Sequence, residues 1–215
     1  MSVSPSRRLP RGRNALSREE VERVQRGRLL LAMADVMSEK GFVRTSVEDV
    51  LKRATVSRQS FYQLFSSKLD CFMAAFDIAT QRLEGLLTAA AVDTTSDPLE
   101  RFEQFVIGYL DTLAAEPGYA RLFIVEVYAA GPAAIAQRIE YQNRLAAILA
   151  DLFGVRTESG RFACQMVVAG TSVMVAGPLV ADDLDALRAV GPPLVEHVRR
   201  LWDSGVFSRD EAPGS

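Results

Sequence analysis

Residues 45–68 read TSVEDVLKRATVSRQSFYQLFSSK, and this stretch decides the fold. Ser46 stands before an apolar set at helical spacing, Val47, Val50 and Leu51, with Asp49 three positions on as a partner for a capping box. Ser57 opens a second helical pattern whose apolar stripe is Phe61, Leu64 and Phe65. Only Ala54-Thr55-Val56 separates the two. Arg58, Gln59, Ser60, Tyr62 and Gln63 are left to point outward. Two short helices, a tight turn, and long polar donors at the start of the second helix are the layout of a DNA-reading helix-turn-helix. A plain helix pair with a solvated face gives the same local pattern, so the flanks matter.

Upstream, a helical pattern runs from about Arg18 to Lys40 and closes on Gly41-Phe42, a glycine followed by an apolar residue able to fold back. Downstream, a long helix opens at Ser67-Lys68. The stretch Leu29 to Phe76 resembles the DNA-binding domain of the tetracycline-repressor (TetR) family of bacterial regulators. The resemblance is carried by Ala32, Glu39-Lys40-Gly41-Phe42, Thr45-Ser46-Val47, Val50, Ala54, Val56-Ser57, Ser60-Phe61-Tyr62, Phe65 and Ser67-Lys68. It implies an all-helical homodimer that binds a palindromic operator and usually represses transcription until a small molecule enters its C-terminal domain. Three positions depart from the family pattern. Thr55 stands where a turn glycine is usual, Gln59 where the second helix usually has a small glycine, and Leu64 where an aromatic residue or His is common. The hydrophobic pattern survives all three, so they bear on operator sequence and affinity.

The expected DNA-contacting set is Thr45, Ser46, Ser57, Arg58, Gln59, Ser60, Tyr62 and Lys68, joined by Arg11 and Arg13. Within it, Arg58, Gln59 and Ser60 are placed to read base edges, since Arg suits guanine and Gln suits adenine. Tyr62 and Lys68 are expected on phosphate. Charge agrees with this placement. Residues 1–68 hold 14 basic and 7 acidic side chains, whereas residues 69–215 hold 11 and 20. One end is suited to a polyanion and the other to staying off it. Residues 1–17, with Arg7, Arg8, Arg11 and Arg13 among Pro, Gly and Ser, read as a disordered basic arm able to reach a minor groove, or as a solubilising tail. No apolar run of a secretory signal occurs there. Residues 18–66 read as the DNA-binding domain and 67–215 as a regulatory and dimerisation domain.

The rest of the chain predicts helices only. Asp97-Pro98-Leu99-Glu100 opens one and Glu116-Pro117-Gly118 stops it; Gly131-Pro132 to Gly154, Thr157 to Gly177, and Asp182 to about Ser204, broken at Gly191-Pro192-Pro193, give the others. About nine helices in all are expected, an all-α fold, with 48% apolar residues to fill its core. The stretch 162–176 is apolar nearly all round, and Leu194, Val195, Val198, Leu201 and Trp202 form a stripe on the last helix. A helix apolar on every side is buried on every side. The expected dimer contact is therefore Phe162, Met166, Gly170, Val173 and Met174 with Leu194, Val198, Leu201 and Trp202, resembling the family's four-helix interface.

Phe76, Phe102, Phe105, Tyr109, Phe123, Val127, Tyr128, Tyr141, Gln165 and Met166 are expected to line or fill the centre, where a small-molecule effector would bind. Thr171 is a further polar group there. No inward cluster of Arg or Lys is visible, which favours a mainly apolar, neutral ligand. Catalysis, a cofactor and a metal are not expected: His197 is the only histidine, Cys71 and Cys164 stand apart, and no glycine-rich phosphate loop is present. The cysteines suit a reducing cytoplasm, and no apolar run approaches the ~20 residues needed to cross a bilayer. Two functions fit: a ligand-responsive repressor, and a DNA-binding dimer with no small-molecule effector.

Overall fold

The helices begin where hydroxyl and carboxylate side chains can take up free amides. Ser17, Ser46, Ser57, Thr157 and Asp183 each accept a hydrogen bond from the backbone amide three residues on, and Asp97 from the amide of Leu99. The computed structural model describes residues 17–92 and 97–207; the expected arm with Arg7, Arg8, Arg11 and Arg13 lies outside the described residues, as do residues 208–215. Among the described residues there are ten α-helices, one 3-10 turn and no strand. They are α1 Arg18–Arg44, α2 Val47–Ala54, α3 Arg58–Leu64, α4 Lys68–Val92, α5 Pro98–Ala115, α6 Pro117–Ile124, the 3-10 turn Glu126–Tyr128, α7 Pro132–Phe153, α8 Glu158–Ala181, α9 Leu184–Ala189 and α10 Gly191–Asp203. The fold is all-α.

Helix α1 is continuous only to Lys40. Gly41 adopts φ 75° and ψ 163°, which turns the chain toward α2 at a point where a side chain would be strained. Helix α1 packs on α2, α3, α4 and α6, and its buried face includes Leu29, Leu30, Met33 and Met37. Helix α4 continues the same apolar core toward α5 and α7, and α7 pairs with α8. The three-helix head therefore sits on the rest of the molecule through α1, α4 and α6.

Three features depart from the sequence-based expectation. Helix α6 forms directly after Pro117, because proline stops α5 yet fits the first turn of the next helix. Helix α8 runs through Pro178 to Ala181 and does not end at Gly177. It is also long and apolar enough to cross a bilayer by length and composition, with mean hydropathy 1.6 over its 18-residue window. This corrects the reading that no run approaches that length. Only about a quarter of that window is covered within the chain, and the inward stripe is Cys164, Val167, Val175 and Leu179. The outer stripe, Phe162, Met166, Val173, Met174 and Val180, is exposed.

Candidate nucleic-acid interface and effector cleft

The reading head is held by local bonds. Ser46 and Asp49 form the full capping box: Ser46 Oγ accepts from the Asp49 amide, and Asp49 Oδ2 accepts from the Ser46 amide at 2.9 Å. Lys40 Nζ donates to Asp49 Oδ1 at 2.6 Å, and this contact is the main reason the Asp49 carboxyl lies well below the usual carboxylate range. The α2–α3 turn places Thr55 at φ 54°, ψ 48°. A β-branched residue there costs ~1–2 kcal/mol relative to the right-handed region, so the turn keeps a left-handed conformation that its sequence resists. Ser57 Oγ then accepts from the Ser60 amide at 3.0 Å and starts α3. Phe61 is fully buried and meets Phe65 at 5.7 Å between ring centroids, which fixes the roll of the helix. The opposite face carries Arg58, Gln59, Tyr62 and Gln63, all exposed, with Ser60 half-buried.

The expected contact residues separate into two groups. Arg58, Gln59, Ser60 and Tyr62 stand together on α3, with Ser46 and Ser57 exposed at the two caps. Arg58 is paired with Glu48 of α2 at 2.9 Å in the free protein. Thr45 is different: it is 2% exposed and its Oγ1 donates to the Gly41 carbonyl at 2.8 Å. Its expected DNA contact is corrected, because the hydroxyl closes the end of α1 instead. Lys68 is half-buried over the Phe42 ring, and its ammonium donates to the carbonyls of Phe42 and Thr45 at 2.8 and 2.9 Å. Burial lowers its pKa. Two of its three donors thus brace the α1–α2 turn before any phosphate is met.

Four arginines near the head escaped the sequence reading. Arg23, Arg26, Arg28 and Arg44 are exposed, and among the described residues none has a carboxylate within ion-pair distance. Arg26 lies 4.7 Å over the Phe65 ring at the end of α3, and Arg44 Nε donates to the Lys40 carbonyl. On a helix, such positions look like any solvated face.

A second site lies between α4, α5, α7 and α8. Phe102, Phe105, Tyr109, Phe123 and Tyr141 meet there as expected, and are joined by Gln142, Thr171 and Ser172. The cleft is nearly closed, with free volume ≈ 40 Å³; that is space for a few water-sized atoms, far below the ~300 Å³ at which ligand pockets begin. Phe76 packs behind Phe123, and Val127 is buried outside the cleft. Three expected lining residues are corrected. Gln165 and Met166 fall on the outer face of α8, because that helix is apolar on nearly every side and its sequence does not fix which side faces in. Tyr128 is exposed and its hydroxyl accepts from Arg138 Nε at 3.1 Å.

Arg138 also corrects the expectation that no cation points inward. It is 3% exposed, and it donates to the Phe123 carbonyl at 2.7 Å and to Ser172 Oγ at 2.6 Å. The signal was available: Ala134, Arg138, Tyr141, Leu145 and Leu149 share the buried stripe of α7. Tyr141 is buried beside it, and its hydroxyl has no hydrogen-bond partner among the described residues. Burial pushes the Tyr109 and Tyr141 phenols well above their usual range.

The expected dimer contact also divides. Phe162, Met166, Val173 and Met174 are exposed, and a side chain at Gly170 would meet open space. Leu194 and Val198 are buried within the chain, and Trp202 packs on Phe153 at 5.5 Å. Leu201 is half-buried. Helix α10 has one apolar stripe and turns it inward, leaving Glu196, His197, Arg199 and Arg200 outside. Leu194 and Val198 are corrected as interface candidates, whereas Leu201 and Trp202 keep part of their surface exposed. Cys71 and Cys164 are buried free thiols raised to about 12 by desolvation. Among the described residues no group of His, Cys, Asp or Glu is arranged to hold a metal ion.

Comparison with known proteins places this geometry. Residues 29–75 match the family described as bacterial regulatory proteins, tetR family. The HTH-type transcriptional activator FasR of Mycolicibacterium smegmatis is 29% identical over 126 residues, 58% of this chain and 54% of that protein. The HTH-type transcriptional repressor BepR of Brucella suis is 26% identical over 130 residues, 60% of this chain and 58% of that protein. The chain thus spans little more than half the length of these curated relatives. Among solved structures, the transcriptional regulator FadR from Bacillus subtilis in complex with stearoyl-CoA superposes with a TM-score of 0.68 at 16% identity, covering 86% of this chain and 99% of that one. The match and the helix-turn-helix geometry carry one assignment: residues 29–75 are a DNA-binding domain of the tetracycline-repressor (TetR) family of bacterial transcriptional regulators.

Proposed function

We propose that this protein is a ligand-responsive repressor that binds a palindromic operator as a homodimer and acts in the cytoplasm, without enzymatic activity. The observation that carries the DNA-reading half is α3: Phe61 and Phe65 anchor one face while Arg58, Gln59 and Tyr62 are exposed on the other. In this reading Arg58, Gln59 and Ser60 meet base edges, and Tyr62, Arg26, Arg44 and the remaining donor of Lys68 meet phosphates. Arg58 must exchange Glu48 for DNA, which favours sites offering it a guanine. The arm with Arg11 and Arg13 adds phosphate or minor-groove contacts.

The partner for the outer face of α8 is a second copy of the chain. Phe162, Met166, Val173 and Met174 need cover, Gly170 permits close approach, and a two-fold operator needs two reading heads.

Effector binding, in this reading, requires the cleft to open. A molecule cannot enter ≈ 40 Å³ of free space without displacing helices, so it favours a second arrangement of them. A route to the head runs through the 3-10 turn. Arg138 holds the Phe123 carbonyl and the Tyr128 hydroxyl, while Glu126 between them accepts from the Phe42 amide at 2.7 Å. Opening the cleft pulls on Glu126, and through it on the end of α1. The test is operator release: an apolar compound that raises the melting temperature should release DNA from the wild type and much less from Glu126→Ala, which has no acceptor for the Phe42 amide. Release unchanged in that variant removes this route. The small free volume also favours the second reading, a DNA-binding dimer with no effector, which predicts no thermal shift with any compound of an apolar library.

A further inference from the structure

One wall of the cleft is polar: Tyr141 and Ser172 line it, and Arg138 lies behind them, bonded to Ser172. Arg138 is buried with three neutral partners, the Phe123 carbonyl, Ser172 Oγ and Tyr128 hydroxyl, and among the described residues no carboxylate lies within ion-pair distance of it. Three of its five N–H donors are engaged. The α4 carboxylates are engaged elsewhere: Glu84 pairs with Arg144 at 3.3 Å, and Asp77 accepts from Gln137. A desolvated cation without a counter-charge is costly. Beside it, Tyr141 is 1% exposed and its hydroxyl has no partner, which leaves an O–H donor unused at the cleft wall. Ser172 Oγ accepts from Arg138 and so keeps its own proton to donate.

We infer that the cleft accepts an amphipathic monocarboxylate, with its anionic head between Tyr141, Ser172 and Arg138 and its apolar tail among Phe102, Phe105, Leu145, Leu149 and Val167. This rests on the cleft being the effector site. Each element of this wall matches the head. The guanidinium fork has two N–H groups left and suits the two oxygens of a carboxylate. The Tyr141 hydroxyl gains the partner it lacks, and the negative charge supplies the counter-ion Arg138 lacks. A second negative charge, as on a phosphate monoester, would meet no further cation in the cleft. The tail region is mainly hydrocarbon: Phe102, Phe105, Leu145, Leu149 and Val167 form it, Gln142 and the Tyr109 hydroxyl are the further polar groups of the lining, and the Thr171 hydroxyl is already engaged with the Val167 carbonyl.

Three probes with one tail separate the possibilities: decanoate, 1-decanol and decylammonium, titrated below micelle formation into the full chain and followed by thermal unfolding and calorimetry. Decanoate should bind at least ~10-fold tighter than decanol, in line with hydrogen bonds to a charged group, and decylammonium should not bind. Tyr141→Phe should melt no lower than the wild type, because an unpartnered buried hydroxyl adds no stability, and should bind decanoate ~10-fold more weakly. Arg138→Met should erase the preference for decanoate over decanol; should it not fold, Tyr141→Phe decides alone. Decanol binding as tightly as decanoate, or Tyr141→Phe binding decanoate as the wild type does, overturns the carboxylate head and leaves the cleft an effector site. No binding by any of the three removes the site and the inference together.

Discussion

Helix α3 and the middle of α7 both present polar side chains, under opposite conditions. On α3 the backbone is capped, the apolar stripe is filled, and Arg58, Gln59 and Tyr62 extend into solvent. On α7, Arg138 and Tyr141 are enclosed by hydrocarbon, and one of them lacks a partner. A surface that must read many sequences can leave its donors hydrated until DNA arrives. In the proposed function, the buried site holds desolvated groups that only the right ligand satisfies. The two meet through Glu126 and Phe42, where the core grips the end of α1.

The sharpest way to break this division is to remove the proposed second copy. Gly170→Glu places a carboxylate on the outer face of α8, where it is harmless in one chain but buried twice at a symmetric contact. An unpaired buried charge costs ~3–5 kcal/mol, so sedimentation should show a monomer and operator affinity should fall by orders of magnitude, while helicity is kept. A dimer of normal affinity would move the interface elsewhere. Next in size is the anchor of the reading head. Phe61→Ala should destabilise the chain by ~3–5 kcal/mol, and denaturant titration should show the loss; a loss below ~1 kcal/mol would mean that α3 is not held by its apolar face.

The head was legible because its information is local. Ser46 with Asp49 and Ser57 with Ser60 act over three residues, so a linear reading recovers them. The bonds of Thr45 and Lys68 to the Gly41, Phe42 and Thr45 carbonyls are not legible in a linear reading, because they depend on how three helices meet. The core resisted for a related reason. Arg138 reads as a surface cation until α7's stripe is phased, and Ser172 reaches it from 34 residues away. The all-round apolarity of α8 concealed which face was free, so Met166 was assigned both to the cleft and to the interface.

A smaller effect sharpens the contrast from the side of the turn. Thr55→Gly relieves the left-handed strain between α2 and α3, and should raise stability by ~1 kcal/mol in thermal melts. No change, or a loss, would mean that Thr55 is supported by contacts worth more than its backbone strain.

The central claim is that two copies of α3 read DNA together. Selection of bound duplexes from a random-sequence pool by the full chain tests it most directly, with Gln59→Ala run beside the wild type. The expected result is an inverted repeat whose half-sites lie about one helical turn apart, 10–10.5 base pairs, or a multiple of it. In the variant, discrimination should relax by ~1–3 kcal/mol at one position of each half-site and nowhere else. Recovery of no motif, of a single unpaired half-site, or of the same preferences from Gln59→Ala would contradict it.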